Sequence, residues 1–211
     1  MRDIVFALMG AVSGYKAITR ARTEISRFRI TGETFGESHF TNAKVSTPIV
    51  VAITSALYFL LTNRFEHNLT VLTYGVLVGA GMWLSLIDID THLLPRRIVY
   101  RTIAIAIPLL VLSAFFDNSG SVSGMFIGGI AMWCILRVLE VLSRGDLGGG
   151  DVGLGGLLGL YLGWLSYEAI LVGLFASFLV GGFFAVVLLV TRKANRNTHF
   201  AFGPFLIVGT L

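Results

Sequence analysis

Residues 69–87 read LTVLTYGVLVGAGMWLSLI and contain no charged side chain. A helix needs about 20 mostly apolar residues to cross a bilayer, and this segment has that length. A transmembrane β-strand would be about 10 residues long and would alternate between polar and apolar side chains, which this segment does not do. The segment therefore predicts a transmembrane helix.

Similar apolar blocks recur along the whole chain of 211 residues, of which 55% are hydrophobic and only 13% are charged. Soluble domains carry about 25% charged residues, so this composition excludes an ordinary soluble globule. The sequence predicts an all-α fold, a polytopic transmembrane bundle of about eight spans. We place the spans at about 4–19, 46–62, 69–87, 98–116, 122–142, 152–166 and 169–190, with an eighth that begins near Phe200.

The basic residues predict the orientation of this bundle, because Lys and Arg collect in cytoplasmic loops. An extracytoplasmic N-terminus places Arg2 and Arg64 outside and the other fourteen of the sixteen basic residues at or near the cytoplasm. The turn after residue 87 and the segment 143–151 then share the cytoplasmic side. The net charge of +4 indicates contact with anionic membrane lipids and not with nucleic acid.

Glycines recur every four residues in two of the predicted spans. Gly124 and Gly128 lie in the fifth span, and Gly155, Gly159 and Gly163 lie in the sixth. Small residues at this spacing allow helix backbones to approach closely in membranes. The pattern predicts a glycine-lined helix contact, within the chain or between chains.

Carboxylates stand at the ends of two predicted spans. Asp88 and Asp90 end the third span, and Asp151 opens the sixth directly after three glycines. A carboxylate is favoured at a helix N-terminus and disfavoured at a C-terminus, so Asp88 occupies an electrostatically unfavourable position. Ionisable groups at the edge of a span are functional candidates. The alternative is that each is an ordinary helix-end acid in contact with water.

Three motifs occur in a characteristic order: Asp88-Ile-Asp-Thr-His-Leu-Leu-Pro95, Gly148-Gly-Gly-Asp151 and Phe202-Gly-Pro-Phe205. Together they resemble the type IV prepilin peptidases, which are aspartyl proteases of the G-x-G-D type. The resemblance covers about residues 70–211 well and the start of the chain weakly.

This resemblance implies one transmembrane peptidase domain over residues 1–211, with Asp88 and Asp151 as the catalytic pair. It implies that Gly148, Gly149, Gly150 and Pro95 shape the site, with Asp90 and Asp146 as neighbouring acids that rank next as candidates. In such a pair the ionised aspartate takes a proton from water while the protonated one polarises the scissile carbonyl or protonates the leaving nitrogen. No cofactor is expected, and the scattered histidines lack the spacing of metal ligands.

The implied substrate is a prepilin or pseudopilin precursor, whose short basic leader is removed at the cytoplasmic face of the inner membrane. Acids near the site are candidates to attract the leader, namely Asp90, Asp146 and Glu140. Basic residues near it are expected to bind lipid phosphates, namely Arg96, Arg97, Arg101 and Arg144.

The chain also departs from the family pattern. Arg96 follows the Leu-Pro where Asp or Asn is frequent, and Gly153 stands where Lys is frequent. Residues 20–45 form a short, basic, cysteine-free stretch, predicted to be a cytoplasmic loop, in place of the larger domain with Cys-x-x-Cys pairs that is linked to N-methylation. We therefore expect cleavage without extending the prediction to methylation.

Two other function classes remain open from the residues alone. An ion-coupled transporter would place its acids near the middle of the bilayer, beside broken helices. A structural subunit of a membrane assembly would carry the same aspartates incidentally.

Overall fold

A computed structural model describes residues 1–31, 40–143, 147–191 and 201–211. Within these ranges the chain forms eight α-helices, one short 3-10 turn and no strand, which confirms the predicted all-α polytopic bundle. The helices are α1 (Arg2–Thr31), α2 (Ser46–Arg64), α3 (Asn68–Thr91), α4 (Arg96–Phe116), α5 (Val122–Leu142), α6 (Gly149–Leu165), α7 (Tyr167–Val190) and α8 (Gly203–Thr210). The 3-10 turn, Phe40–Asn42, precedes α2.

Five of these helices, α2, α3, α4, α5 and α7, are long and apolar enough to cross a membrane. The other three occupy predicted spans but differ from a simple span. The second half of α1 is rich in charge, α6 has 17 residues and α8 has 8. Helix α6 is the most enclosed of the eight, since almost every residue after Asp151 is buried, and it packs against α4, α5, α7 and α8.

Helix α1 continues well beyond the predicted end of the first span near residue 19. The polar stretch that follows still buries Ala21 and Ile25 on one face, and it contains residues such as Arg and Glu that form helices readily. A helix does not have to end where its apolar part ends. The first part of the predicted loop 20–45 is therefore helical to Thr31, and residues 32–39 lie outside the described part of the chain.

The predicted glycine contact joins α5 to α6. A Cβ atom added at Gly128 would overlap the carbonyl oxygen of Gly159, and one added at Gly163 would overlap that of Gly124. The backbones of the two helices therefore touch directly, which confirms the prediction from the four-residue spacing. This contact lies within the chain and fixes α6, the helix that begins with Asp151.

The N-terminus lies at one end of the bundle, and the first two motifs lie at the other. The Arg2 guanidinium donates hydrogen bonds to the carbonyl oxygens of Thr62, at 2.6 Å, and Glu66. The N-terminus and the turn between α2 and α3 therefore lie together, as expected for Arg2 and Arg64. The turn between α3 and α4 and the start of α6 lie at the opposite end.

Candidate active site

The first motif forms a tight turn between α3 and α4. His92 adopts the left-handed conformation (φ 53°, ψ 32°), and its backbone N–H donates to the carbonyl oxygen of Asp88 at 2.8 Å, which ends α3. Pro95 precedes α4, and its carbonyl oxygen accepts a hydrogen bond from the backbone N–H of Ile98 at 3.0 Å. The turn places Leu94 against the ends of the neighbouring helices.

Asp88 lies in the last turn of α3, and only 4% of its surface is exposed. Its Oδ2 atom accepts a hydrogen bond from the backbone N–H of Gly203 at 3.0 Å. A Cβ atom at Gly203 would lie 2.8 Å from this oxygen and 2.8 Å from Cδ1 of Leu94. The start of α8 therefore approaches the carboxylate closely because residue 203 has no side chain.

Asp151 lies in the first turn of α6, where the helix dipole favours a negative charge. Its Oδ2 atom accepts a hydrogen bond from the backbone N–H of Gly148 at 3.2 Å. Its Oδ1 atom is buried and has no hydrogen-bond partner in the described part of the chain. One oxygen of Asp151 is therefore committed to the backbone, and the other is open to a further hydrogen bond.

The two motifs meet at Leu94. A Cβ atom added at Gly150 would lie 2.5 Å from the carbonyl oxygen of Leu94 and 2.6 Å from its Cβ atom. Leu94 also contacts the start of α8 at Gly203. Asp88 and Asp151 lie near enough for their charges to interact, and Asp88 is buried whereas Asp151 is partly buried. The fold thus brings together two acids from separate motifs, with glycines at each close approach.

Charged side chains surround this pair. The guanidinium of Arg96 lies so close to Gly149 that a Cβ atom there would overlap it. The carboxylate of Glu140 acts electrostatically on Asp151 and is paired with Arg137 on the same helix. Glu140 therefore lies near Asp151, with its own charge paired to that of Arg137. Asp146 and Arg144 lie outside the described residues.

The type IV leader peptidase family model matches residues 75–186, which are more than half of the chain and contain both aspartates. The chain belongs to this family. It is 29% identical over 171 residues to a prepilin leader peptidase/N-methyltransferase of Neisseria gonorrhoeae, which covers 80% of the chain and 57% of that protein. No solved structure matches the chain.

Other relatives of the same name include those of Aeromonas hydrophila and Bacillus subtilis. The first is 26% identical over 162 residues, covering 76% of the chain and 55% of the relative. The second is 23% identical over 164 residues, covering 78% of the chain and 63% of the relative. The chain thus spans little more than half the length of these curated relatives.

Asp90 occupies a different environment from Asp88 in this member of the leader peptidase family. It is completely buried, and its carboxylate accepts hydrogen bonds from the backbone N–H groups of Phe40 and Thr41, both at 3.1 Å, and from the Thr41 hydroxyl. The carbonyl oxygen of Thr41 in turn accepts from Nε of Arg22 at 2.8 Å. Asp90 therefore ties α3 to the connection between α1 and α2, and it is not exposed to attract a leader.

Sequence reasoning missed three residues that contact the carboxylates of the first motif. Gly203 donates to Asp88, and the Gly-Pro step of the third motif was the available signal for a close backbone approach. Phe40 and Thr41 donate to Asp90, and no local pattern in the sequence marks them. Within the described ranges, no cluster of three or more His, Cys, Asp or Glu side chains could hold a metal ion.

Proposed function

We propose that the chain is an intramembrane aspartyl endopeptidase that removes the short basic leader from type IV prepilin-like precursors. The observation that carries this proposal is the pairing of Asp88 with Asp151. The two belong to separate motifs, yet they lie at one end of the bundle, Asp88 buried and Asp151 partly buried, close enough for their charges to interact. Burial of two neighbouring acids is costly, and such groups are typical of functional sites.

The chemistry follows from two carboxylates that share one proton. The ionised aspartate takes a proton from water as the water oxygen bonds to the scissile carbonyl carbon. The protonated aspartate donates to the amide nitrogen as the C–N bond breaks, so that one acid and one amine leave. Oδ1 of Asp151 has no partner among the described residues, which makes it the oxygen available to the attacking water. The missing side chains of Gly149 and Gly150 allow Arg96 and Leu94 to pack against the start of α6, which holds Asp151 next to the first motif.

We place this site at the cytoplasmic face of the inner membrane, with the N-terminus outside. The support is the distribution of basic residues. Arg2 and Arg64 lie at the end opposite the aspartates, whereas the sequence assigns the other fourteen Lys and Arg residues to the side of the aspartates. Loops rich in Lys and Arg face the cytoplasm in membrane proteins. A precursor in the bilayer would then present its leader, on the cytoplasmic side, to Asp88 and Asp151.

The proposal covers cleavage and not N-methylation, although the relatives' names include both activities. The cysteine-free stretch 20–45 is the basis for this limit. Mass spectrometry of the product cleaved in membranes supplied with a methyl donor decides it: a free amine at the new N-terminus would keep this limit. A methylated product would extend the function.

The activity is tested by cleavage of a prepilin-type precursor with a basic leader in membranes that contain the protein. We expect wild type to cleave the precursor and Asp88→Asn and Asp151→Asn to leave it intact. Asp3→Asn is the matched control, because Asp3 lies at the opposite end of the bundle and is half exposed. No cleavage by wild type, or full activity of both site variants, would contradict the proposal.

A further inference from the structure

A groove separate from the aspartate pair lies between α1 and α4, both of which pack on α3. Its volume is about 650 Å³, within the range of small-molecule sites of roughly 300–1,000 Å³. Basic side chains line it from both walls, Lys16 and Arg20 from α1 and Arg101 from α4. The proposed protease chemistry uses none of these residues.

No acid among the described residues forms an ion pair with the basic groups of this groove. Lys16, Arg20 and Arg101 are absent from the ion pairs found there. One acid, Glu24, also lines the groove, but its carboxylate is paired with Arg27 at 3.2 Å. Three basic groups around one cavity, without a counter-ion in the described part of the chain, predict an anionic occupant.

Trp83 on α3 also lines the groove. The guanidinium of Arg20 lies over its ring, 5.5 Å from the centroid. This cation–π contact positions the Arg20 guanidinium at the groove.

The basic groups lie at one end of the groove, and the other end combines apolar side chains with the hydroxyls of Ser13 and Tyr58. Arg20 and Trp83 lie toward the end of the bundle that contains Asp88, whereas Val76 on α3 and Ile105 on α4 line the opposite part. Ile105 is 51% exposed, so this wall is open to the surroundings of the bundle. An occupant with an anionic head and an apolar tail matches both parts.

We infer that this groove is a specific binding site for an anionic phospholipid, with the phosphate among Lys16, Arg20 and Arg101 and an acyl chain along Val76 and Ile105. The inference goes beyond the proposed peptidase function and does not depend on it. Juxtamembrane basic residues attract anionic headgroups. The groove adds walls from α1 and α4 and apolar side chains such as Val76 and Ile105, which distinguish a site from a general surface attraction.

Lipid retention by the detergent-purified protein tests this inference by native mass spectrometry, with phosphatidylglycerol or phosphatidylcholine added. We expect one phosphatidylglycerol to be retained at least about tenfold more strongly than phosphatidylcholine, given the several unneutralised basic groups. The triple variant Lys16→Gln, Arg20→Gln, Arg101→Gln should lose this preference. The control triple Lys44→Gln, Arg64→Gln, Arg97→Gln removes the same charge from exposed residues outside the groove and should keep it.

A second measurement needs no change in charge. Phosphatidylglycerol brominated on its acyl chain should quench the fluorescence of Trp83 in a Trp133→Phe background, because Trp133 is exposed and Trp164 is buried. Brominated phosphatidylcholine should quench it much less, and inorganic phosphate in excess should not relieve the quenching. Equal quenching by the two lipids, relief by inorganic phosphate, or equal loss of retention in both triple variants would overturn the inference.

Discussion

The backbone N–H of Gly203 donates a hydrogen bond to Oδ2 of Asp88 over 3.0 Å, which joins the first residue of α8 to the last turn of α3. Two of the three sequence motifs thus meet at one carboxylate. Because the third motif contacts Asp88 directly, the short helix α8 belongs to the site and is not simply a terminal segment.

Replacement of Gly203 tests this contact. In Gly203→Ala the new Cβ atom would lie 2.8 Å from Oδ2 of Asp88, so the carboxylate or α8 must shift. Misplacement of a catalytic group by about 1 Å can cost roughly a hundredfold in rate, and we expect a loss of this order in precursor cleavage.

The matched control is Gly182→Ala in α7, where a Cβ atom would meet nothing within 4 Å. We expect its cleavage rate to stay within about twofold of wild type, since surface changes away from special features have small effects. Equal rates for the two variants would show that the approach of α8 to Asp88 is unimportant for cleavage.

Gly150→Ala tests the contact between the second motif and the turn after α3. The added Cβ atom would overlap the backbone of Leu94, which cannot rotate away as a side chain could. We expect this overpacking to lower the free energy of unfolding by about 1–3 kcal/mol. We also expect a large loss of precursor cleavage. Gly153→Ala, one turn along α6, would make an ordinary contact of 3.5 Å with Val99 and should change neither quantity much.

The Asp90→Ala variant tests whether Asp90 anchors the connection between α1 and α2 or takes part in the cleavage reaction. The substitution leaves the buried N–H groups of Phe40 and Thr41 without their acceptor, which should cost about 2–5 kcal/mol of unfolding free energy. Asp90→Asn keeps an acceptor oxygen and should cost less. Thermal unfolding measures both losses. If Asp90→Ala unfolds like wild type but cleaves nothing, Asp90 takes part in the chemistry and the anchoring account is wrong.

The helical architecture could be predicted from local pattern, because an apolar block of about 20 residues indicates a membrane helix. Asp88 and Asp151 could be singled out in the same way, since each stands at the edge of such a block. The contacts of Gly203 and Thr41 could not, because each joins residues far apart in the chain. The continuation of α1 to Thr31 was missed because a change in polarity marks the end of an apolar block, not the end of a helix.

The central claim is that Asp88 and Asp151 act as one unit, and the most direct test is the cleavage rate of Asp88→Asn, Asp151→Asn and the double variant in the same membranes. Residues that act as a unit are strongly non-additive. We predict that each single variant loses at least about a thousandfold and that the double variant is no slower than the singles. A single variant within about tenfold of wild type, or losses that multiply in the double variant, would contradict the claim.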